Sequence, residues 1–160
     1  MEPTTKPQNY FEKLSKINVS SETFKVGMRE LRYVNWAEAW YALKREYPCA
    51  GYKVFETAEG LPYYGNESVG YFCKVSVYVP TEMDGGRTVA HEVILPILDS
   101  SNRAMKLKEQ KWKDKYGKDI VVEPIDAANI NKTIMRALVK AIAMHGLGLF
   151  VYQGEDKPEE

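Results

Sequence analysis

The sequence is short of the residues that catalytic and metal chemistry most often use. It has two cysteines, Cys49 and Cys73, and two histidines, His91 and His145, in 160 residues. Two distant cysteines make neither a disulfide framework nor a zinc site, so both read as small buried hydrophobes of a protein in a reducing cytoplasm. The histidines have no neighbouring cysteine and no His-x-x-x-His partner, so no metal site is expected. His145 reads more simply as a cation at the last turn of a helix. No run of about 20 apolar residues occurs, so no membrane span is expected. The start, MEPTTKPQNY, has no apolar core and is not expected to be a signal peptide. Net charge is lacking too: 22 basic residues balance 22 acidic ones, and the overall field does not announce a nucleic-acid binder. A Ser-centred elbow, a phosphate-binding loop and a dinucleotide fingerprint are all missing. Gly146-x-Gly148 follows a helical pattern, which is the wrong end for phosphate binding.

What the chain does have is a globular composition, 44% hydrophobic, at a length that can bury one core without metal or disulfide staples. It is organised around Ile125 to Tyr152. Ile130, Ile134, Ala137, Leu138, Ala141 and Ile142 have the spacing of a core-facing helix. Gly146 and Gly148 stop that helix, and Leu147 to Tyr152 predicts a short apolar strand or extended run. Upstream, Tyr10, Phe11, Leu14 and Ile17 suggest a short docking helix, and Ser20 to Lys25 a loop. Asn35 and Glu38 fit a capping box before a helix Trp36 to Tyr47, whose Trp36, Trp40, Leu43 and Tyr47 form a core-facing aromatic side. Pro48 ends it.

The middle is β. Strands are expected over Tyr52 to Thr57, Gly70 to Val79 and Thr88 to Leu98, the last two with period-two alternation. Asp84-Gly85-Gly86 signals a hairpin between them. Met105, Leu107 and Trp112 give Ala104 to Lys118 a weak amphipathicity, compatible with a helix or a mobile excursion, and Ile120 to Val122 suggests a short strand. The fold class is therefore α+β: a curved antiparallel sheet in a β-β-β-α core, with the long helix laid across one face. Open sheet edges favour self-association. Residues 1–9 read as a flexible arm, 10–153 as one domain and 154–160 as an acidic tail.

Charge is unevenly distributed although it cancels in the total. Arg103 to Asp119 holds seven basic residues against three acidic ones, and four of the last six residues are acids. On the long helix Lys132, Arg136 and Lys140 are four apart and lie one above another, with Asn129 and Ala143 extending the row. Such a row either keeps a helix wet or follows a phosphate backbone. A second pattern, Asp99 followed by Glu109-Gln110-Lys111, has the Asp…Glu-x-Lys form of Mg²⁺-dependent nucleases, in which two carboxylates hold the metal and a lysine lies near the attacking water.

Three blocks carry a resemblance. They are Tyr33-Val34-Asn35-Trp36-Ala37-Glu38-Ala39-Trp40, then Leu95-Pro96-Ile97-Leu98-Asp99 with Asn102, then Asn131-Lys132 … Arg136-Ala137-Leu138-Val139-Lys140-Ala141-Ile142-Ala143 … Gly146-Leu147-Gly148-Leu149 … Tyr152 … Gly154-Glu155-Asp156. In that order they resemble phage single-strand annealing proteins of the Sak type, within the wider superfamily of the eukaryotic annealing protein Rad fifty-two. The resemblance implies a β-β-β-α fold and ring or filament assembly. It implies ATP-independent annealing of single-stranded DNA along a basic groove in phage recombination, with no cofactor and no catalytic residue. The setting would be the cytoplasm of a bacterial host, with a single-strand-binding protein or a phage exonuclease as candidate protein partners. The wider family has Lys-Arg-Ala-Leu on the helix after the sheet. Here the run is Met135-Arg136-Ala137-Leu138, so Arg136 carries over and the lysine does not; Lys132 and Lys140 are on the right face to compensate. Asn102, Arg103, Lys106 and Lys108 are candidates for the other wall of the groove. Tyr63 and Tyr64 have the chemistry to stack on bases, but turn tyrosines commonly cap a core edge and are not assigned.

Overall fold

A computed structural model describes residues 9–20, 22–26, 29–81 and 87–153 of the chain. The Asp84-Gly85-Gly86 signal, the arm up to residue 8 and the tail from residue 154 lie outside the described residues. The fold is α+β. Its described elements are helices α1 (Tyr10–Ser15), α2 (Trp36–Glu46) and α3 (Ala127–Met144) and strands β1 (Glu22–Val26), β2 (Arg29–Tyr33), β3 (Gly51–Val54), β4 (Tyr64–Asn66), β5 (Gly70–Pro80), β6 (Thr88–Pro96), β7 (Gln110–Lys113) and β8 (Asp119–Val122). In a four-stranded sheet β5 is hydrogen-bonded to β3, β4 and β6. The expected β-β-β-α order survives as β3, β5, β6 and α3, with β4 and two hairpins added.

The alternation in β5 is real. Tyr71, Cys73, Val75, Val77 and Val79 are buried, while the residues between them are half-buried or exposed. The chain divides into two compact units, one within Met1–Gly51, Val77–His91 and Val139–Glu160, the other within Tyr52–Ser76 and Glu92–Leu138.

In the second unit a core of Tyr71, Cys73, Ile97, Met105 and Val122 receives Tyr63, Ile125, Ile130 and Ile134. The first two turns of α3 thus lie on the buried face of β5, as the periodicity predicts. Tyr63 meets Tyr71 edge-on and packs against the core, as expected, whereas Tyr64, in β4, packs beside Phe55 and Phe72 on the other face of β5. Burial pushes the Cys73 thiol up to about 11. Where a helix or mobile excursion was expected, Gln110–Lys113 and Asp119–Val122 pair as an antiparallel hairpin, Trp112 opposite Ile120 and Lys113 opposite Asp119. The turn is held by Asp114, whose Oδ1 accepts from the Tyr116 and Lys118 amides at 2.8 and 2.9 Å, with Gly117 at a φ of 77°. Asx-type bonding and a left-handed glycine close the hairpin without help from its surroundings. The Lys113–Asp119 pair spans 4.0 Å with both side chains largely exposed, and is worth at most about half a kcal/mol. The backbone ladder, not the charges, holds the hairpin.

In the first unit Asn9 caps α1 by accepting from the Glu12 amide, and Leu14 is buried. The loop expected from Ser20 is instead strand β1, paired antiparallel with β2 from Glu22↔Tyr33 to Val26↔Arg29. Its β-branched and aromatic content outweighs the polar start that suggested a loop. Asn35 caps α2 by accepting from the Ala37 amide. The capping box does not close as expected. Glu38 turns to Ser20, accepting from its amide at 2.8 Å and its hydroxyl at 2.9 Å, and these bonds hold the carboxyl below its usual range. The α2 residues that are buried are Ala39 and Leu43; Trp36 is 46% exposed, so the aromatic side is not uniformly core. Cys49 is exposed, against expectation, in the turn after α2.

Gly146 follows α3 at a φ of 111°, where a Cβ would stand 2.7 Å from the Phe11 carbonyl oxygen, so glycine is required. Leu149–Tyr152 is a 3₁₀ turn instead of the expected strand. His145 is no surface cation. It is fully buried, with Nε2 2.9 Å from the Val77 carbonyl and the rings of His91 and Tyr10 at 4.5 and 5.9 Å. Only a protonated nitrogen can bond a carbonyl, so Nε2 carries the proton. Burial, reinforced by His91, moves the imidazole below its ordinary value despite the Val77 bond. It stands neutral, with Nδ1 buried and without a hydrogen-bond partner among the described residues.

Candidate nucleic-acid interface

The site is built on α3. Asp126 and Asn129 cap its start reciprocally, each side chain accepting from the other's amide at 2.8 and 3.0 Å. Thr133 is buried and its hydroxyl donates to the Asn129 carbonyl. Asn129 is therefore an element of the cap and does not extend the cationic row. Ala143 is only 2% exposed and does not extend it either.

Of the three cations, Lys132 and Arg136 are exposed, one turn and about 6 Å of helix apart. Neither pairs with an acid among the described residues. Lys140 is half-buried, its Nζ 5.8 Å from the centre of the Tyr152 ring, a cation–π distance. The row is thus graded: two free cations, then one partly held by an aromatic ring.

The residues assigned to a second wall are placed unequally. Asp99 to Arg103 is a prefolded loop. The Asp99 Oδ1 accepts from the Ser101 and Arg103 amides at 2.9 and 2.8 Å, and its Oδ2 stands 3.7 Å from the Arg103 guanidinium. Arg103 is held at the loop by that pair. Asn102 is exposed in the left-handed region, φ 59°, a conformation that asparagine tolerates. The Lys106 carbonyl accepts from the Ile125 amide at 2.9 Å, which ties this lysine's backbone to the lead-in of α3. Lys108 is exposed.

The nuclease pattern finds its residues already engaged. Both Asp99 oxygens serve their own loop. Glu109 and Lys111 pair with each other at 3.2 Å. Among the described residues no group of three or more His, Cys, Asp or Glu could hold a metal ion.

The family model described as Sak Single Strand Annealing Protein matches residues 9–160. The chain belongs to the Sak single-strand annealing protein family. No curated protein and no solved structure matches it. The Sak match takes in all three blocks that carried the resemblance: the end of β2 with the start of α2, the end of β6 with the Asp99 loop, and α3 with the 3₁₀ turn. No helix among the described residues is long and apolar enough to cross a membrane. In this Sak protein, sequence reasoning placed Lys132 and Arg136 together on an exposed side of α3. It missed that Lys140 is tied to Tyr152 and that the lysines after residue 108 lie on a hairpin. The Asp114…Gly117 turn was the available signal for the second.

Proposed function

We propose that this protein binds single-stranded DNA and anneals complementary strands without ATP, as a ring or helical filament of identical subunits serving phage homologous recombination. The observation that carries the reading is the family match across residues 9–160. Lys132 and Arg136 supply a physical means. They are exposed cations at a fixed spacing on a helix whose opposite side packs on the core through half-buried Ile130 and Ile134. They neutralise phosphates and release counterions, while Lys140 extends the track. Asn102, Arg103, Lys106 and Lys108 form a second wall, with residues 10–153 acting as one annealing domain. Annealing then needs no bond-making residue: an extended backbone leaves base edges free to sample a second strand.

The test is an annealing assay with labelled complementary oligonucleotides, without ATP, across a salt series, with strand length checked on a gel. Accelerated pairing of intact strands, with affinity falling steeply as salt rises, is the expected outcome. Absence of binding at low salt, or strand shortening on addition of Mg²⁺, overturns it.

A further inference from the structure

We infer that the β7–β8 hairpin is a base-stacking arm, with Trp112 as a platform for an unpaired base and Tyr116 as an accessory ring at its tip. The inference rests on the single-stranded DNA reading above and extends it to a segment outside the helix row.

Four observations carry it. Trp112 is 44% exposed and Tyr116 82% exposed, on a hairpin that closes by its own turn. Trp112 has no aromatic or cationic partner among the described residues, and close to half of its surface is open beside its cross-strand neighbour Ile120. The hairpin surface around it is open and shallow, formed by Ile120, Val121, Lys111, Lys113 and Asp119. The root of the arm is fixed: the Leu107 amide donates to the Glu67 carboxylate at 2.9 Å, the Gln110 side chain donates to the Ala104 carbonyl at 2.9 Å, and Val122 is buried in the core.

The alternation of the two strands separates the chemistry. Trp112 and Ile120 share one face; Lys111 and Lys113 project from the other. From Lys106 to Asp119 six lysines stand against three acids. The arm therefore carries a net positive charge, on the face away from Trp112 and partly answered by Glu109 and Asp119, which suits a polyanion carrying flat bases better than an apolar protein surface. Stacking tolerates any base, and sequence tolerance is what strand annealing requires.

The experiment compares two probes of equal length, an oligothymidylate and an abasic oligodeoxyribophosphate, on the full-length protein and its Trp112→Ala, Trp112→Phe and Tyr116→Ala variants. Trp112→Ala is expected to weaken oligothymidylate binding about tenfold and to leave abasic binding unchanged. Tyr116→Ala should have a smaller effect of the same selectivity. Trp112→Phe should keep most of the affinity but lose the part of the tryptophan fluorescence quenching that oligothymidylate causes in the wild type. Equal losses on both probes, no loss on either, or a change in assembly size at constant affinity per subunit would overturn the arm. The last of these would make the hairpin an interface between copies. If the wild-type protein binds neither probe, the single-stranded DNA reading fails and the arm with it; if only the variants fail to discriminate, the arm alone fails.

Discussion

Helix α3 and the β7–β8 hairpin both carry lysines, and they present them differently. On α3 the cations at 132 and 136 have no acidic partner among the described residues, and helical geometry sets their spacing. On the hairpin, Lys111 is paired with Glu109, Lys113 lies opposite Asp119, and Lys115 sits 5.1 Å from the centre of the Tyr116 ring. Much of the hairpin charge is answered locally, and what remains open there is chiefly the exposed part of Trp112. Counting lysines along the sequence therefore overstates the hairpin as an electrostatic element and understates the helix. Salt should separate the two: affinity contributed by α3 decays with ionic strength, while affinity contributed by Trp112 does not.

The largest effect is expected from Lys132→Ala with Arg136→Ala. Single-stranded DNA affinity should fall about 10- to 100-fold at low salt, and the slope of log affinity against log salt should shrink by about 1.4, about 0.7 for each phosphate that is no longer neutralised. Both side chains are exposed, so the melting temperature should hold; a titration at four salt concentrations beside a thermal melt checks this. An unchanged slope would erase the contrast with the hairpin.

A second prediction loosens one region and spares the other. His145 is held below its ordinary value, so unfolding lets it take up a proton. Above about pH 6.5, the value in an unfolded chain, this group contributes no pH dependence. As pH falls from there toward the folded value, the unfolded state binds more protons and stability drops, up to about tenfold in the folding equilibrium per pH unit. Hydrogen exchange at about pH 7.5 and about pH 5.5, corrected for intrinsic rates, should show protection lost at the C-terminal end of α3 and kept in the β7–β8 ladder. Substituting His145→Gln should remove that part of the acid response.

Two smaller effects sharpen the grading. Lys140→Ala should weaken binding only about two- to fivefold, less than Arg136→Ala alone, because the ammonium is already partly held by Tyr152. Glu109→Gln should free Lys111 and raise affinity by less than about twofold, an effect visible only at low salt. Parallel titrations of the three variants rank them directly.

How legible each region was in the sequence depends on its length. The 11 residues of β5 and the 18 of α3 show several periods each, and their buried faces follow the spacing of their apolar residues. Strands β7 and β8 have four residues apiece, two per face, too few to distinguish a period of two from one of 3.6. In the same way β1 hid behind a polar start. For the candidate site, the row on α3 could be read because helical spacing alone puts Lys132 and Arg136 together. The ring under Lys140, the burial of Ala143 and the engagement of Asp99 by its own loop depend on where other segments lie. His145 is the clearest case. A general preference for cations at helix ends gave way to a bond with Val77, 68 residues earlier in the chain.

The contrast between the two cysteines has a practical consequence for chemical labelling. Cys49 is open to reagents in the turn after α2, whereas Cys73 is sealed in the sheet with its thiol pushed up to about 11. At a pH of about 7.5 a maleimide dye reacts through thiolate and needs access, so it should modify Cys49 and leave Cys73 untouched. The natural sequence thus offers a single attachment point, remote in sequence from the α3 row and the hairpin, through which photobleaching would report how many chains each particle holds.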